Sequence, residues 1–296
     1  MRSSLGDHPG QSFVRIVFIG RRNFMNHCFA NWLAARHQVV AFFEADIARR
    51  SLQNHVRWLQ RRMRRVGLAR TIDQVLYQIH YRLFQEPTDR ELMRESFASY
   101  FGCDAFALSP SIPVHEFPDL NSPAVMKTLT DLQPDLAFAV CISQYLRKPW
   151  EAIPRFGTVL YHEGLTPEYK GVHTAFWANA LGESDRIGYT LLRVTAEIDA
   201  GEPVAQGIGR IDPELGKWNG YTGHQALIDG LPDVERGLAA LERGEPISMN
   251  RRIGPAHTYS YAGLTDEVRR VWSARRRRRA QGRNACQLRG EPAPVV

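Results

Sequence analysis

Three short stretches of this 296-residue chain crowd together side chains able to move protons or bind charge. The densest is Tyr161-His162-Glu163-Gly164-Leu165-Thr166-Pro167-Glu168-Tyr169-Lys170-Gly171-Val172-His173. Histidine has the unperturbed side-chain pKa nearest neutrality, so His162, directly after an apolar run, is a candidate proton handler or oxyanion partner. A lone histidine is more often structural, but Gly164, Pro167 and Gly171 shape an exposed loop here instead of a core face. Glu163 adds a carboxylate that could bind an amine or raise the histidine's pKa. The second stretch, Glu197-Ile198-Asp199-Ala200-Gly201, offers an acid that could orient an imidazole, or could serve a plain turn before glycine. The third, Gly20-Arg21-Arg22-Asn23, opens a predicted helix with two arginines. They would meet an acidic group, or face solvent at a helix start where positive charge is slightly unfavourable.

The elements around these stretches alternate between strand and helix. Residues 13–20 (FVRIVFIG) and 38–43 (QVVAFF) read as buried strands flanking a helix over 21–35, the opening of a βαβ unit. Residues 47–101 read as helices, with Val56, Leu59, Met63 and Val66, then Leu76, Ile79 and Leu83, at helical spacing. Glu86-Pro87-Thr88-Asp89 divides them, with Thr88 or Asp89 as a cap. Residues 105–108 and 112–114 are short strand candidates, and Ser122-Pro123 starts a helix running to Leu132. Residues 136–142 (LAFAVCI) are the clearest buried strand, and 158–161 (TVLY) form another. Residues 187–194 alternate like a less buried strand, 223–241 read as helix, and 280–296 as disordered. The fold class is α/β with a mostly parallel sheet, and such sheets place their sites beyond the carboxyl ends of the strands.

Composition bounds the function. No apolar run reaches the ~18 residues of a spanning helix, and residues 1–12 lack a signal-peptide core, so a cytoplasmic location is expected. Cys28, Cys103, Cys141 and Cys286 lie far apart with no CxxC, which argues against a zinc site and against a disulfide framework. Nothing in the sequence around Cys141 supplies the cationic surroundings that would make its thiol a nucleophile. The net charge of +7 comes from two arginine-rich segments. Residues 49–70 hold eight arginines and no acid, and 267–296 hold nine arginines. They could bind RNA or acidic partners, but without interleaved aromatics the favoured reading is a solvated helix face and a tail.

Taken in order, the βαβ opening, Pro134-Asp135 before an apolar strand, the histidine loop ending in Tyr169-Lys170-Gly171, and Asp199-Ala200-Gly201 resemble the folate-dependent formyltransferases. These include the glycinamide ribonucleotide, methionyl-tRNA and sugar N-formyltransferases. The resemblance covers residues 13–210 and is best over 134–207. It implies a Rossmann-like sheet of the formyltransferase type over 1–210, with a helical insertion at 47–101. A short helical C-terminal extension at 211–280 and a disordered tail at 281–296 would follow. It also implies 10-formyltetrahydrofolate as co-substrate, an amine acceptor and no metal.

Carried onto this chain, the family's catalytic histidine is His162 and its aspartate Asp199. Its asparagine, two residues before the histidine, is replaced by Leu160, which has no hydrogen-bond donor for a developing oxyanion. Loss of one such donor costs on the order of 10²–10³ in rate; Tyr161, Asn23 and Thr158 are the side chains nearest in sequence or fold that could stand in. The folate pocket would be the loop Cys141, Ile142, Ser143, Gln144, Tyr145 and Leu146, facing Glu197 and Ile198; Ile142, Tyr145 and Leu146 could equally be core. Substrate would meet Arg21, Arg22, Asn23, Glu163 and His173. The methionyl-tRNA enzymes add a β-rich C-terminal domain, whereas residues 211–296 read as helical, so a small amine such as an amino sugar or specialised metabolite is the expected acceptor. Two other readings stay open: a diverged folate-pocket enzyme, for instance one hydrolysing the formyl group, and a non-catalytic binding protein using its arginine segments. The sequence is also compatible with a homodimer.

Overall fold

The computed structural model of the protein describes residues 14–45, 52–142, 144–212, 214–245 and 254–289. β1 (Arg15–Gly20), α1 (Phe24–Ala34) and β2 (Gln38–Ala45) form the expected βαβ opening. Asn23 caps α1 by accepting the Asn26 N–H at 3.0 Å. Three helices follow, α2 (Leu52–Val66), α3 (Leu68–Phe84) and α4 (Glu86–Phe101), before the chain returns to the sheet as β3 (Val114–Phe117). α5 (Pro123–Leu132), capped by Ser122, leads into β4 (Leu136–Val140); the short α6 (Pro149–Ala152) leads into β5 (Thr158–His162). Then come β6 (Lys170–Gly171), α7 (Thr174–Leu181), β7 (Gly188–Arg193) and β8 (Pro203–Ile208). α8 (Asn219–Asp229), α9 (Leu231–Arg243), β9 (Thr258–Tyr259) and α10 (Leu264–Arg289) complete the described chain.

The main sheet has the order β3-β2-β1-β4-β5-β7-β8. It is parallel from β3 through β5, and β7 and β8 add antiparallel. The chain moves outward from β1 in one direction and from β4 in the other, so the carboxyl ends of β1 and β4 flank the point where strand order reverses. That is where open α/β sheets bind ligands. The central strands are buried on both faces. Ile16, Phe18, Phe42, Phe138 and Tyr161 pack under α1, α8 and α9, while Val17, Ile19, Phe43 and Ala139 pack under α5 and Trp150. This two-sided burial is why these strands read as continuous apolar runs.

Several expectations need correction. Residues 105–108 are not a strand: Asn31 Nδ2 takes the carbonyls of Ala105 (3.1 Å) and Ala107 (2.8 Å), so they bond α1 in place of a ladder. β7 is fully buried over Gly188–Leu192, because α8 covers it. The helix expected over 223–241 is two helices, broken at Gly230 with Pro232 in the first turn of α9. α10 continues to Arg289, so part of the segment expected to lack structure is helical; between Leu264 and Arg289 no proline interrupts it. Asp89 does not cap its own helix, since α4 begins at Glu86 without a side-chain cap.

The inserted helices are tied to the C-terminal ones through polar contacts. Arg70 pairs with Asp266 (2.6 Å), Gln74 donates to the Tyr261 carbonyl (2.7 Å), and Gln85 donates to Glu267 (2.9 Å). On α3 the inward face is therefore Thr71, Gln74 and Tyr77, and the periodic Leu76, Ile79 and Leu83 are exposed.

Candidate active site

β4 and β5 run parallel with Val140 opposite Tyr161, which sets Cys141, just past β4, beside His162, the last residue of β5. Cys141 has φ +50, a left-handed conformation uncommon for a residue with a side chain. His162 is buried, and its Nε2–H donates to the Tyr169 carbonyl at 3.1 Å, so the loop returning from Tyr169 fixes the ring. Gly164 is required for that contact. A Cβ there would lie 2.5 Å from the Tyr169 oxygen and 2.8 Å from His162 Nε2.

A second histidine enters from α8. His224 Nδ1–H donates to the Gly220 carbonyl one turn earlier, at 2.7 Å, which aims Nε2 at Cys141 Sγ, 4.0 Å away. Glu163 lies on the same side: its carboxylate sits against Gly223, where a Cβ would come within 2.4 Å of Oε2. Burial pushes the Glu163 carboxyl above its usual range, opposed by the positive potential of His224 and His162. Burial alone would lower His224. The hydrogen bond and charge of Cys141, the Glu163 carboxylate and the Gly220 carbonyl outweigh it and raise the imidazole to about 9.

α8 reaches this position through Asp89 of the inserted α4. The fully buried Asp89 carboxylate accepts the N–H groups of Gly220 (2.9 Å) and Tyr221 (2.6 Å) in the first turn of α8, and the Tyr81 hydroxyl at 2.8 Å. It caps α8 from across the molecule. Ser96 of α4 also donates to Gln225 beside His224.

The side chains that could replace the absent asparagine are all engaged elsewhere. Tyr161 is buried on the opposite face and donates to the Leu227 carbonyl. Asn23 caps α1, and Thr158 donates to the Trp150 carbonyl at 2.5 Å. Leu160 lies half-buried against the cluster that includes Ile19 and Ala139.

Asp199, with φ +48, does not bond His162. Its Oδ2 accepts the Gly171 N–H at 2.9 Å, closing the far end of the histidine loop. The two loops expected to hold folate do meet, because the Tyr145 hydroxyl donates to the Ala196 carbonyl. Within them, Leu146 is buried core, Ile142 is partly buried, and Ile198 is exposed; Glu197 bonds locally to Thr195. Gln144 is committed to the 118–120 turn, accepting from Leu120 N–H at 2.9 Å and donating to the Pro118 carbonyl at 3.1 Å. Ser143 lies outside the described residues. Arg21 is exposed, and Arg22 forms an exposed pair with Glu116 at 3.4 Å. His173 is packed between Tyr77 and Tyr261, and burial, with Arg62 nearby, lowers it to about 4. It is a neutral packing residue of the insertion, so its expected contact with substrate is not supported by this geometry.

Sequence reasoning missed His224 and the role of Asp89. His224 is separated from Cys141 by 83 residues and sits in a stretch whose pattern signals only a helix. Among the described residues no group of three His, Cys, Asp or Glu side chains is arranged to hold a metal ion, and no helix is long and apolar enough to cross a membrane.

Comparison with known proteins places this geometry in context. Residues 110–221 match the family described as formyl transferase, a segment that spans β3 to the start of α8 and ends just before His224. The methionyl-tRNA formyltransferase of Pseudomonas syringae pv. syringae is 29% identical over 168 residues, 56% of this chain and 52% of that protein. That of Trichlorobacter lovleyi is 32% identical over 108 residues, 36% and 34% of the two chains. This chain thus spans about half or less of the length of these relatives. Among solved structures, a sugar N-formyltransferase from a Shewanella species aligns with a TM-score of 0.50 and 10% identity, over 87% of this chain and 86% of that one, a likeness of fold.

Proposed function

We propose, for a chain whose residues 110–221 match the formyltransferase family, that the site at the ends of β4 and β5 moves a formyl group from 10-formyltetrahydrofolate to the amine of a small molecule, an amino sugar or a specialised metabolite. The observation that carries this reading is the convergence of His162, Glu163, His224 and Cys141 at the carboxyl ends of β4 and β5. Formyl transfer to an amine needs a donor for the tetrahedral oxyanion and an acceptor for the amine's proton. Leu160 cannot donate, but His224, raised to about 9, carries an N–H at neutral pH. His162 keeps its other ring nitrogen, Nδ1, free to accept a proton because Nε2 donates to Tyr169. The Glu163 carboxyl offers a hydrogen-bonding partner for the acceptor amine.

Of the residues expected to hold the folate, Tyr145 and Ile198 are the ones whose exposure supports a site for a flat ring. The loops at 141–146 and 195–198 are joined by Tyr145, and the exposed Tyr145 and Ile198 offer apolar walls. Cys141, Glu163 and His224 lie at the strand end beside them. The folate supplies the activated formyl carbon. For the acceptor, exposed Arg21 at the β1 end of the same sheet edge suits an acidic substituent on a small amine.

The test is a panel of amines, amino sugars first, incubated with the protein and 10-formyltetrahydrofolate, with formamide formation read by mass spectrometry. Formamide from at least one amine, reduced about a hundredfold in His162→Ala and in His224→Gln, supports the reading. Full activity in both variants overturns it.

A further inference from the structure

We infer that Cys141 is a nucleophile activated by His224, and that it carries the formyl group as a thioester between donor and acceptor. This rests on the formyl-transfer reading for the identity of the acyl group, while the dyad itself stands on geometry alone. An activated cysteine needs a base within reach and a third group that orients the base. Here Nε2 of His224 faces Cys141 Sγ at 4.0 Å, and the Gly220 carbonyl holds Nδ1–H at 2.7 Å, leaving Nε2 as the nitrogen that takes the thiol proton. Asp89 fixes the turn that bears Gly220. Cys141 is held in a left-handed conformation at a strand end, where its side chain packs against the edge of the core and stays partly accessible. Cys28 makes the contrast: it is buried, has no base beside it, and burial pushes its thiol up to about 12.

The chemistry balances with the two reactants already named. With the single proton of the pair resting on His224 Nε2, the Cys141 sulfur attacks the formyl carbon. The bond from that carbon to N10 of the folate breaks, and His224 returns the proton to N10. The products are tetrahydrofolate and S-formyl-Cys141. The acceptor amine then attacks the thioester carbon, the carbon–sulfur bond breaks, and the proton lost by the amine goes to the thiolate through His224 or His162. Covalent catalysis of this kind divides one difficult step into two easier ones. It gives a physical reason for a site that lacks the asparagine at position 160: the imidazolium formed when His224 takes the thiol proton is itself the donor next to the developing oxyanion.

Two readouts on the full chain decide the matter. The first is the rate of iodoacetamide alkylation at each cysteine, resolved by peptide mass spectrometry, with exposed Cys103 as internal reference. At neutral pH Cys141 should react about tenfold faster than Cys103 and lose that advantage in His224→Gln. The groups facing the pair are Glu163, His162 and, behind the α8 turn, Asp89. The second is the intact mass after mixing with 10-formyltetrahydrofolate and no amine, where a gain of one CO unit on the Cys141 peptide is expected, absent in Cys141→Ser. No rate advantage for Cys141 in the folded protein overturns the dyad. Fast alkylation without the mass gain, while the donor binds and formamide forms at an unchanged rate in Cys141→Ser, overturns the thioester. Failure of the donor to bind at all overturns the formyl-transfer reading, and the alkylation rates still judge the dyad.

Discussion

The carboxylate of Asp89 accepts the backbone N–H of Tyr221 at 2.6 Å, so a residue of the inserted helices sets the turn from which His224 reaches the sheet. The helices over residues 52–101 are therefore part of the site's construction: they hold the second histidine at the strand ends.

Asp89→Ala removes a buried cap and leaves Gly220 N–H, Tyr221 N–H and the Tyr81 hydroxyl without their acceptor. The expected loss is about 3 kcal/mol of stability, read by urea unfolding, together with a fall in turnover from displacement of His224. Asp89→Asn, which keeps one acceptor, should lose less. An unchanged urea midpoint in Asp89→Ala would show that α8 holds its place by other means.

Gly164→Ala places a methyl 2.5 Å from the Tyr169 oxygen and 2.8 Å from His162 Nε2. The loop must shift, at a cost of about 1–3 kcal/mol, and His162 loses its hydrogen bond. Turnover should fall well beyond what the stability loss explains. Wild-type kinetics in this variant would mean that His162 does not depend on Tyr169 for its orientation.

His173 is lowered to about 4 in the folded protein from an ordinary 6.5. The unfolded chain therefore binds the proton first as pH falls, and the fold loses stability between pH 6.5 and 4, by up to about 3 kcal/mol. At φ +57 the position tolerates asparagine well, so His173→Asn should flatten this part of the stability curve. An identical acid slope in the variant would assign the sensitivity to other groups.

Leu160→Asn places an amide donor where the sequence lacks one, against the apolar cluster that includes Ile19 and Ala139. It should cost about 1–2 kcal/mol in stability and make transfer less dependent on the thiol. In a Cys141→Ser background it should restore formamide formation about tenfold. No gain in that background would show that position 160 does not face the reacting carbon.

Much of this was legible in the sequence for one physical reason. Strands buried on both faces read as unbroken apolar runs, so β1, β2, β4 and β5 and the loops at their ends could be located, and with them Cys141 and His162. What local pattern could not show was long-range pairing. The partner of Cys141 is 83 residues away on a helix whose pattern is ordinary, and the acid that positions that helix looked like a cap for its own. For Asp199 the sequence does not reveal that its carboxylate takes the Gly171 N–H and not an imidazole. Leu76, Ile79 and Leu83 gave a true helix, but its inward face is polar because α3 docks on α10 through Arg70, Gln74 and the hydrogen-bonded Asp73–Thr265 pair.

The most direct test is calorimetric titration of the whole protein with a non-transferable analogue of 10-formyltetrahydrofolate, repeated with Ile198→Trp. Micromolar binding in the wild type, weakened by the bulky side chain at the 195–198 loop, is the result the account predicts. No heat of binding at millimolar analogue would contradict it, because a site that does not hold the formyl donor cannot pass its formyl group on.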